Sequence, residues 1–356
     1  MSSSRFTDDA DALPDLYETA EEDLWFLPGP DLDEEDGPPG ASPLPRANRR
    51  SLIDATDWGK AQAALSADLA RVAQVFGELD TRLRSVTEGV RGRLALREAS
   101  DLSWWTGGRV TVDRLGLWLG LRIGSVEDID QALSHTAWAA RRLEGGPMPE
   151  QGLEVFLGRG TRGRGSPGDA SAGSDAILDL TDVLATVAAL HPIVQAAVLF
   201  HAWRMLGQDR TRDLEAAVLA ARHAASMSRV PGQGALFLPL ATSGAGAFQG
   251  TGDPERKLAA WLAGAEQATL AALLQLDQIE RWSRRAREAI LDLSGRTPGQ
   301  LVTVFEGWAY VSASLAEAKT GASRASVQRS IDILVKRGLI KEVTGQGRYR
   351  IWVAAA

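Results

Sequence analysis

Residues 297–353 read TPGQLVTVFEGWAYVSASLAEAKTGASRASVQRSIDILVKRGLIKEVTGQGRYRIWV. A first helix is predicted over roughly Pro298–Gly307, and a second from about Ser312 or Ser314 to Thr320. Gly321-Ala322 makes the turn, and Ser323 is a good N-cap for a third helix that continues to Arg337. Gly338 ends that helix with a residue able to adopt positive φ. Val327, Ile331 and Leu334 fall on one face of the third helix, and Arg324, Gln328 and Arg329 on the other. After it, Leu339–Val343 and Arg348–Val353 flank a Thr344-Gly-Gln-Gly turn, which predicts a hairpin. Alternation sets Arg348 and Arg350 on one face and Tyr349 and Ile351 on the other.

Helices in this order followed by a basic hairpin form a winged helix-turn-helix, a fold that binds double-stranded DNA. Ser323, Arg324, Ser326, Gln328, Arg329 and Lys336 are the candidate contacts of the helix over 323–337. Arg and Gln can pair bidentately with guanine and adenine edges in the major groove. Gln346, Arg348 and Arg350 of the wing over 339–353 are the candidate contacts to phosphates or the minor groove. In the second helix the small residue lies five (Ala316) or three (Ala318) positions before Gly321. Four is the usual spacing, so a slightly longer turn is expected.

Working outward, the charge is uneven. The whole chain has 356 residues and a net charge of −7. Residues 1–50 hold 13 acidic and 4 basic residues, a net of −9. Residues 51–356 hold 33 acidic and 35 basic ones, a net of +2. Residues 319–350 hold 8 basic and 2 acidic ones, a net of +6. The average would have argued against nucleic acid; the distribution does not.

Residues 1–48 combine acids with Pro and Gly and show no sustained period, so a disordered acidic tail is expected. Tyr17, Trp25, Phe26 and Leu27 sit among the acids. The segment reads either as a solubilising tail or as a docking peptide for a protein partner.

Residues 49–291 read as a helical core domain, with no βαβ alternation. Leu65, Leu69, Val72, Phe76, Leu79 and Leu83 follow helical spacing. Residues 94–106 form another helix, ended by Gly107-Gly108. Ser125 and Asp128 make a capping-box-like start for a helix running to Leu143. Residues 158–174 form a Gly/Arg-rich loop, and Leu153–Leu157 before it is compatible with a short strand. Asp179–Leu206 is nearly all apolar and is interrupted by His191-Pro192, which predicts two helices. Residues 212–227 form an Ala-rich helix, and 231–252 an irregular segment. Asp253-Pro254 opens a long helix. Along it Leu258, Leu262, Ala265, Ala272, Leu276, Ile279, Ala286 and Ile290 trace one face. The expected class is therefore mainly α, a helical core followed by the winged helix over 297–356.

Several chemistries are disfavoured. There is no cysteine, which excludes disulfides, thiolate metal sites and a Cys nucleophile. His135, His191, His201 and His223 lack metal spacing. Gly158-Arg-Gly-Thr-Arg-Gly163 fits GxGxxG, but Ser166-Pro-Gly-Asp follows where a dinucleotide site requires a helix. Arg159, Arg162 and Arg164 there would add non-specific attraction for phosphate. Trp104, Trp105, Trp118, Trp138, Trp203 and Trp261 are read as core packing. No P-loop, GxSxG or paired-carboxylate setting occurs. No enzyme activity, catalytic residue, metal or cofactor is expected. No apolar run is long enough to span a membrane. The acidic N-terminus lacks a signal pattern, so a cytoplasmic protein is expected. Readers of this kind bind paired half-sites, so a homodimer is expected, with the helix over 254–291 as connector.

The ending Gly345-Gln-Gly-Arg-Tyr-Arg-Ile-Trp352, with the helix-turn-helix before it, resembles a bacterial family of domains of unknown function found on plasmids and secondary replicons. Arg97-Glu98-Ala99-Ser100, Gly107–Asp113, the Arg/Gly loop Gly158–Gly165 and the run His191–Trp203 follow that family's chain order. The resemblance covers about residues 60–356 and is specific in the last sixty or so. It implies a transcriptional or replicon-associated regulator. More distantly the layout is similar to Fic-type proteins, which transfer nucleotide monophosphates and often end in a winged helix. That resemblance implies a Fic-like helical bundle. The Fic loop HPFxxGNGR needs a histidine, a Gly-Asn-Gly anion cradle and an arginine. Here Gly207-Gln-Asp-Arg-Thr-Arg-Asp follows the corresponding helix, so the implied version is catalytically degenerate. The alternatives to DNA binding are a Fic-related nucleotidyltransferase transferring AMP, and a protein-interaction module.

Overall fold

A computed structural model describes residues 53–121, 131–158, 177, 180–205, 210–345 and 350–355. The acidic tail over 1–48, the start at Ser125 and Asp128, the Arg/Gly loop from 159 to 174, and Gln346 and Arg348 lie outside the described residues.

The chain is mainly helical. In α1 (Ala55–Ala64) the N-cap Asp54 accepts from the Thr56 amide at 2.8 Å. In α2 (Ser66–Arg84) the expected stripe Leu69, Val72, Phe76, Leu79 and Leu83 is buried. Then come α3 (Glu88–Trp105), α4 (Val112–Leu121), α5 (Gln131–Glu144) and α6 (Leu153–Leu157). The last of these corrects the short strand considered for Leu153–Leu157: one helical turn opens after Gly152 and closes on Gly158 at φ 73°. Helical structure over 180–186 precedes α7 (Pro192–Met205) and α8 (Arg210–Ala224).

α7 buries every residue from Ile193 to Trp203 except Gln195. A helix apolar on all sides has to sit inside others, and α7 packs on α8, α1 and α9 (Pro254–Ala289). The break before α7 is a cap. The His191 Nδ1 accepts from the Ile193 amide at 3.2 Å, and Pro192 takes the first helical position, where no amide partner is needed. The irregular 231–252 stretch is held from within. Glu98 of α3, wholly buried, accepts from the amides of Leu240, Ala241 and Thr242 and from the Thr242 hydroxyl at 2.6–2.9 Å. Asp80 of α2 accepts from the Ala235 amide at 3.0 Å and from the Ser228 hydroxyl at 2.5 Å.

Beyond α9 the order is α10 (Thr297–Gly307), β1 (Val311–Ser312), α11 (Ala313–Thr320), α12 (Arg324–Lys336), β2 (Ile340–Glu342) and β3 (Ile351–Ala354). The strands form an antiparallel sheet in the order β1-β3-β2, with Trp352 of β3 opposite both Val311 and Glu342. β1 is an addition to the predicted hairpin: two residues are too short to show a period.

Two hydrophobic cores result, and α9 belongs to both. Its buried residues up to Leu276 lie in the core of α1–α8, whereas Trp282 and Ala286 lie in a second core with α10–α12 and the sheet. Trp282 donates from Nε1 to the Leu339 carbonyl at 2.8 Å. The two parts are also clasped. The Arg93 guanidinium donates to the carbonyls of Phe305 and Trp308 at 2.7 and 2.9 Å, and the Tyr310 hydroxyl donates to Asp113 at 2.6 Å.

The tryptophans divide. Trp203 and Trp261 are fully buried, and Trp105 stacks on Phe248 at 4.2 Å between centroids. Trp104 is 52% exposed, which corrects its reading as core. Adjacent helical residues lie about 100° apart, so Trp105 turns inward and Trp104 outward. No helix among the described residues is long and apolar enough to cross a membrane.

Candidate nucleic-acid interface

The candidate site is built on α12. Ser312 caps α11 by accepting from the Leu315 amide at 3.2 Å, and Gly321 ends α11 at φ 64°. That left-handed value is one glycine adopts without cost. Of the two small residues weighed for α11, Ala316 is the buried one and Ala318 is exposed. Ser323 then caps α12 by accepting from the Ser326 amide at 3.4 Å.

α12 is strongly two-faced. Val327, Ser330, Ile331 and Leu334 are buried against α10 and α11. Arg324, Arg329 and Lys336 are exposed and make no ion pair among the described residues. Gln328 is half-buried and donates to Asp332 at 2.9 Å. Ser326 is turned inward, its hydroxyl 3.0 Å from that of Thr297 at the start of α10. That contact brings the amino ends of α10 and α12 together, and a helix amino end carries partial positive charge. Exposed Arg296 lies beside them.

The remaining basic residues differ in their freedom. Arg337 is held by Asp292 at 2.6 and 2.7 Å. Arg350 is held by Glu342 at 2.6 and 2.8 Å and lies over the Trp352 ring at 5.3 Å. These carboxylates raise both guanidinium pKa values. Lys319 lies 4.4 Å over the ring of Trp308. Two exposed cations without a carboxylate partner among the described residues, Arg296 and Lys341 on β2, were not among the sequence candidates. Lys341 alternates with the buried Ile340, a signal that was present in the strand pattern.

The histidines do not converge. His191 caps α7. Burial drives the pKa of His201 down to about 3, with Lys257 and Arg204 adding to the effect. Its ring lies 5.9 Å from Trp58 and 5.1 Å from Phe200, and its Nε2 has no partner among the described residues. His223 bridges Gln195 at 2.8 Å and Glu150 at 3.0 Å. Among the described residues no group of three or more His, Asp and Glu side chains is placed to hold a metal. After α7, where the Fic resemblance would put a catalytic loop, residues 206–209 lie outside the described residues. Arg204 and Asp213 on the two flanking helices are ion-paired at 2.6 Å.

No protein-family model matches the chain, and no curated protein matches it.

Proposed function

We propose that the protein is a DNA-binding regulator, acting by binding and not by catalysis, whose segment 297–356 is a winged helix-turn-helix. The observation that carries this reading is the outer face of α12. Arg324, Arg329 and Lys336 stand exposed and, among the described residues, without carboxylate partners, while the opposite face is buried. An unpaired guanidinium at a helix amino end is positioned to approach base edges or phosphate. The order helix, short strand, two helices, two strands supports the same reading. In it α12 enters the major groove, Ser323 and Ser326 position its first turn, and β2–β3 lies along the backbone. Arg296 and Lys341 join the phosphate contacts.

A homodimer fits the outer face of α9, where Ala263, Gln267, Leu270, Leu274, Gln278 and Arg281 are exposed at spacings of three and four. Leu270 and Leu274 are 47% and 54% exposed. Leu270→Glu should shift the sedimenting species toward monomer.

The test of DNA binding is a mobility-shift titration of wild type and of Arg324→Ala/Arg329→Ala at several salt concentrations. The expected loss is about 1–3 kcal/mol per base-contacting arginine, and a phosphate contact removed lowers the salt slope by about one. Failure of the wild type to bind any duplex at low salt removes the reading. Removing residues 1–48 and measuring DNA affinity separately from partner capture distinguishes a protein-docking role for the tail.

A further inference from the structure

A cavity of about 340 Å³ opens between the end of α5, the end of α8 and the loop that follows it, with α3 on its fourth side. None of the described residues that line it belongs to 297–355. Arg91, Glu144, Met148, Arg222, Ser226 and Leu236 are among its walls. The volume is at the low end of the range for small-molecule sites.

Its charge is unusual. Arg222 is 1% exposed, yet among the described residues no carboxylate pairs with it. Its Nη1 donates to the Leu236 carbonyl at 3.0 Å. Its Nη2 donates to the Gly146 carbonyl at 3.2 Å and lies 2.8 Å from the Met148 sulfur. Its Nε has no partner among the described residues. Burial lowers its pKa to about 10, so it still carries its charge at neutral pH. Arg91, half-buried on the opposite wall, donates to the Gln233 carbonyl at 2.7 Å and, among the described residues, pairs with no carboxylate. Glu144 supplies one negative charge on the walls and has interactions of its own. Glu150 acts on Arg222 electrostatically and favours its charged form. Two guanidinium groups against the single carboxylate of Glu144 among the described residues on its walls leave a net positive, part-apolar chamber.

We propose that this cavity binds a small organic anion, a carboxylate or a phosphate ester, with Arg91 and Arg222 facing its charged end, Ser226 hydrogen-bonding to it, and Met148 and Leu236 covering its apolar part. Guanidinium groups prefer these planar or multidentate oxyanions. The binding stands or falls independently of DNA recognition by α12, since neither arginine lies in that segment.

The test uses the full-length chain with benzoate and phenyl phosphate as probes and benzamide as the neutral control. Binding is followed by calorimetry and by the shift in melting temperature at fixed ionic strength. At least one anion should bind saturably and raise the melting temperature, and benzamide should do neither. Arg91→Gln should keep a single cooperative melting transition, which shows that the variant is folded, and weaken the binding anion at least tenfold. Arg222→Lys, keeping charge but losing the fork, should weaken it as well. Which probe binds distinguishes a carboxylate from a phosphate ester. No saturable binding of either anion, equal binding of benzamide, or undiminished binding in Arg91→Gln would each overturn the proposal.

Discussion

Single side chains inside the helical core set stabilities that can be read against pH and mutation. His201 is neutral in the fold because burial drives its pKa to about 3, whereas an unfolded histidine titrates near 6.5. The unfolded chain therefore takes up the proton first. The His201 contribution is complete above about pH 6.5 and is lost as pH falls from there toward 3, at about 1.4 kcal/mol per pH unit. At pH 5 that is about 2 kcal/mol. His201→Phe, placed among Trp58 and Phe200, should flatten this part of the pH profile in urea titrations. Glu98 presents a different case. Glu98→Ala leaves three buried amides and a hydroxyl without their acceptor, each costing about 1–3 kcal/mol. A loss of at least about 3 kcal/mol is expected on chemical denaturation, with the 240–242 loop losing amide-exchange protection first.

At the scale of elements, the clearest contest is at Gly264 in α9. Intrinsic propensity favours alanine over glycine inside a helix by about 1 kcal/mol. A Cβ at Gly264 would stand 2.0 Å from the Ala247 amide nitrogen and 2.5 Å from its Cα. Backbone cannot yield as a side chain does, so Gly264→Ala should lower the melting temperature, the reverse of the propensity expectation. Helices were legible because their period and caps are local. Asp253-Pro254 gave the start of α9, where Asp253 accepts from the Arg256 amide at 2.9 Å. The all-apolar run gave α7. What was missed depends on distant partners. Leu94, Glu98 and Leu102 are spaced by four, as are Leu214, Val218 and Arg222, so the spacing already placed a charged residue on each buried stripe. Only the fold shows why each is there: a loop that Glu98 holds, and a cavity that Arg222 lines. β1 escaped because two residues show no period. In the candidate interface, the sequence identified the basic outer face of α12. It did not reveal which bases are tied, because Asp292 and Glu342, which hold Arg337 and Arg350, are 45 and 8 residues away.

Over the whole molecule, the two cores are joined by α9 and by the Arg93 and Tyr310 contacts. Arg93 donates to two carbonyls on the far side of the junction, and burial lowers its pKa to about 10, so it remains charged there at neutral pH. The wild type should melt in one calorimetric transition. Arg93→Ala with Asp113→Ala should split it in two, the smaller belonging to residues 297–355. α9 has 36 residues, which at 1.5 Å each is a rod of about 54 Å. Because that rod ends inside the core that seats α12, the proposed reading head is fixed to it, and in the proposed dimer the angular phase of the two heads is built in. A target with its half-sites moved apart by half a helical turn of DNA would present the second site on the wrong side of the duplex. The protein would then have to twist the DNA or release one half, so affinity should oscillate with spacer length at the period of the double helix.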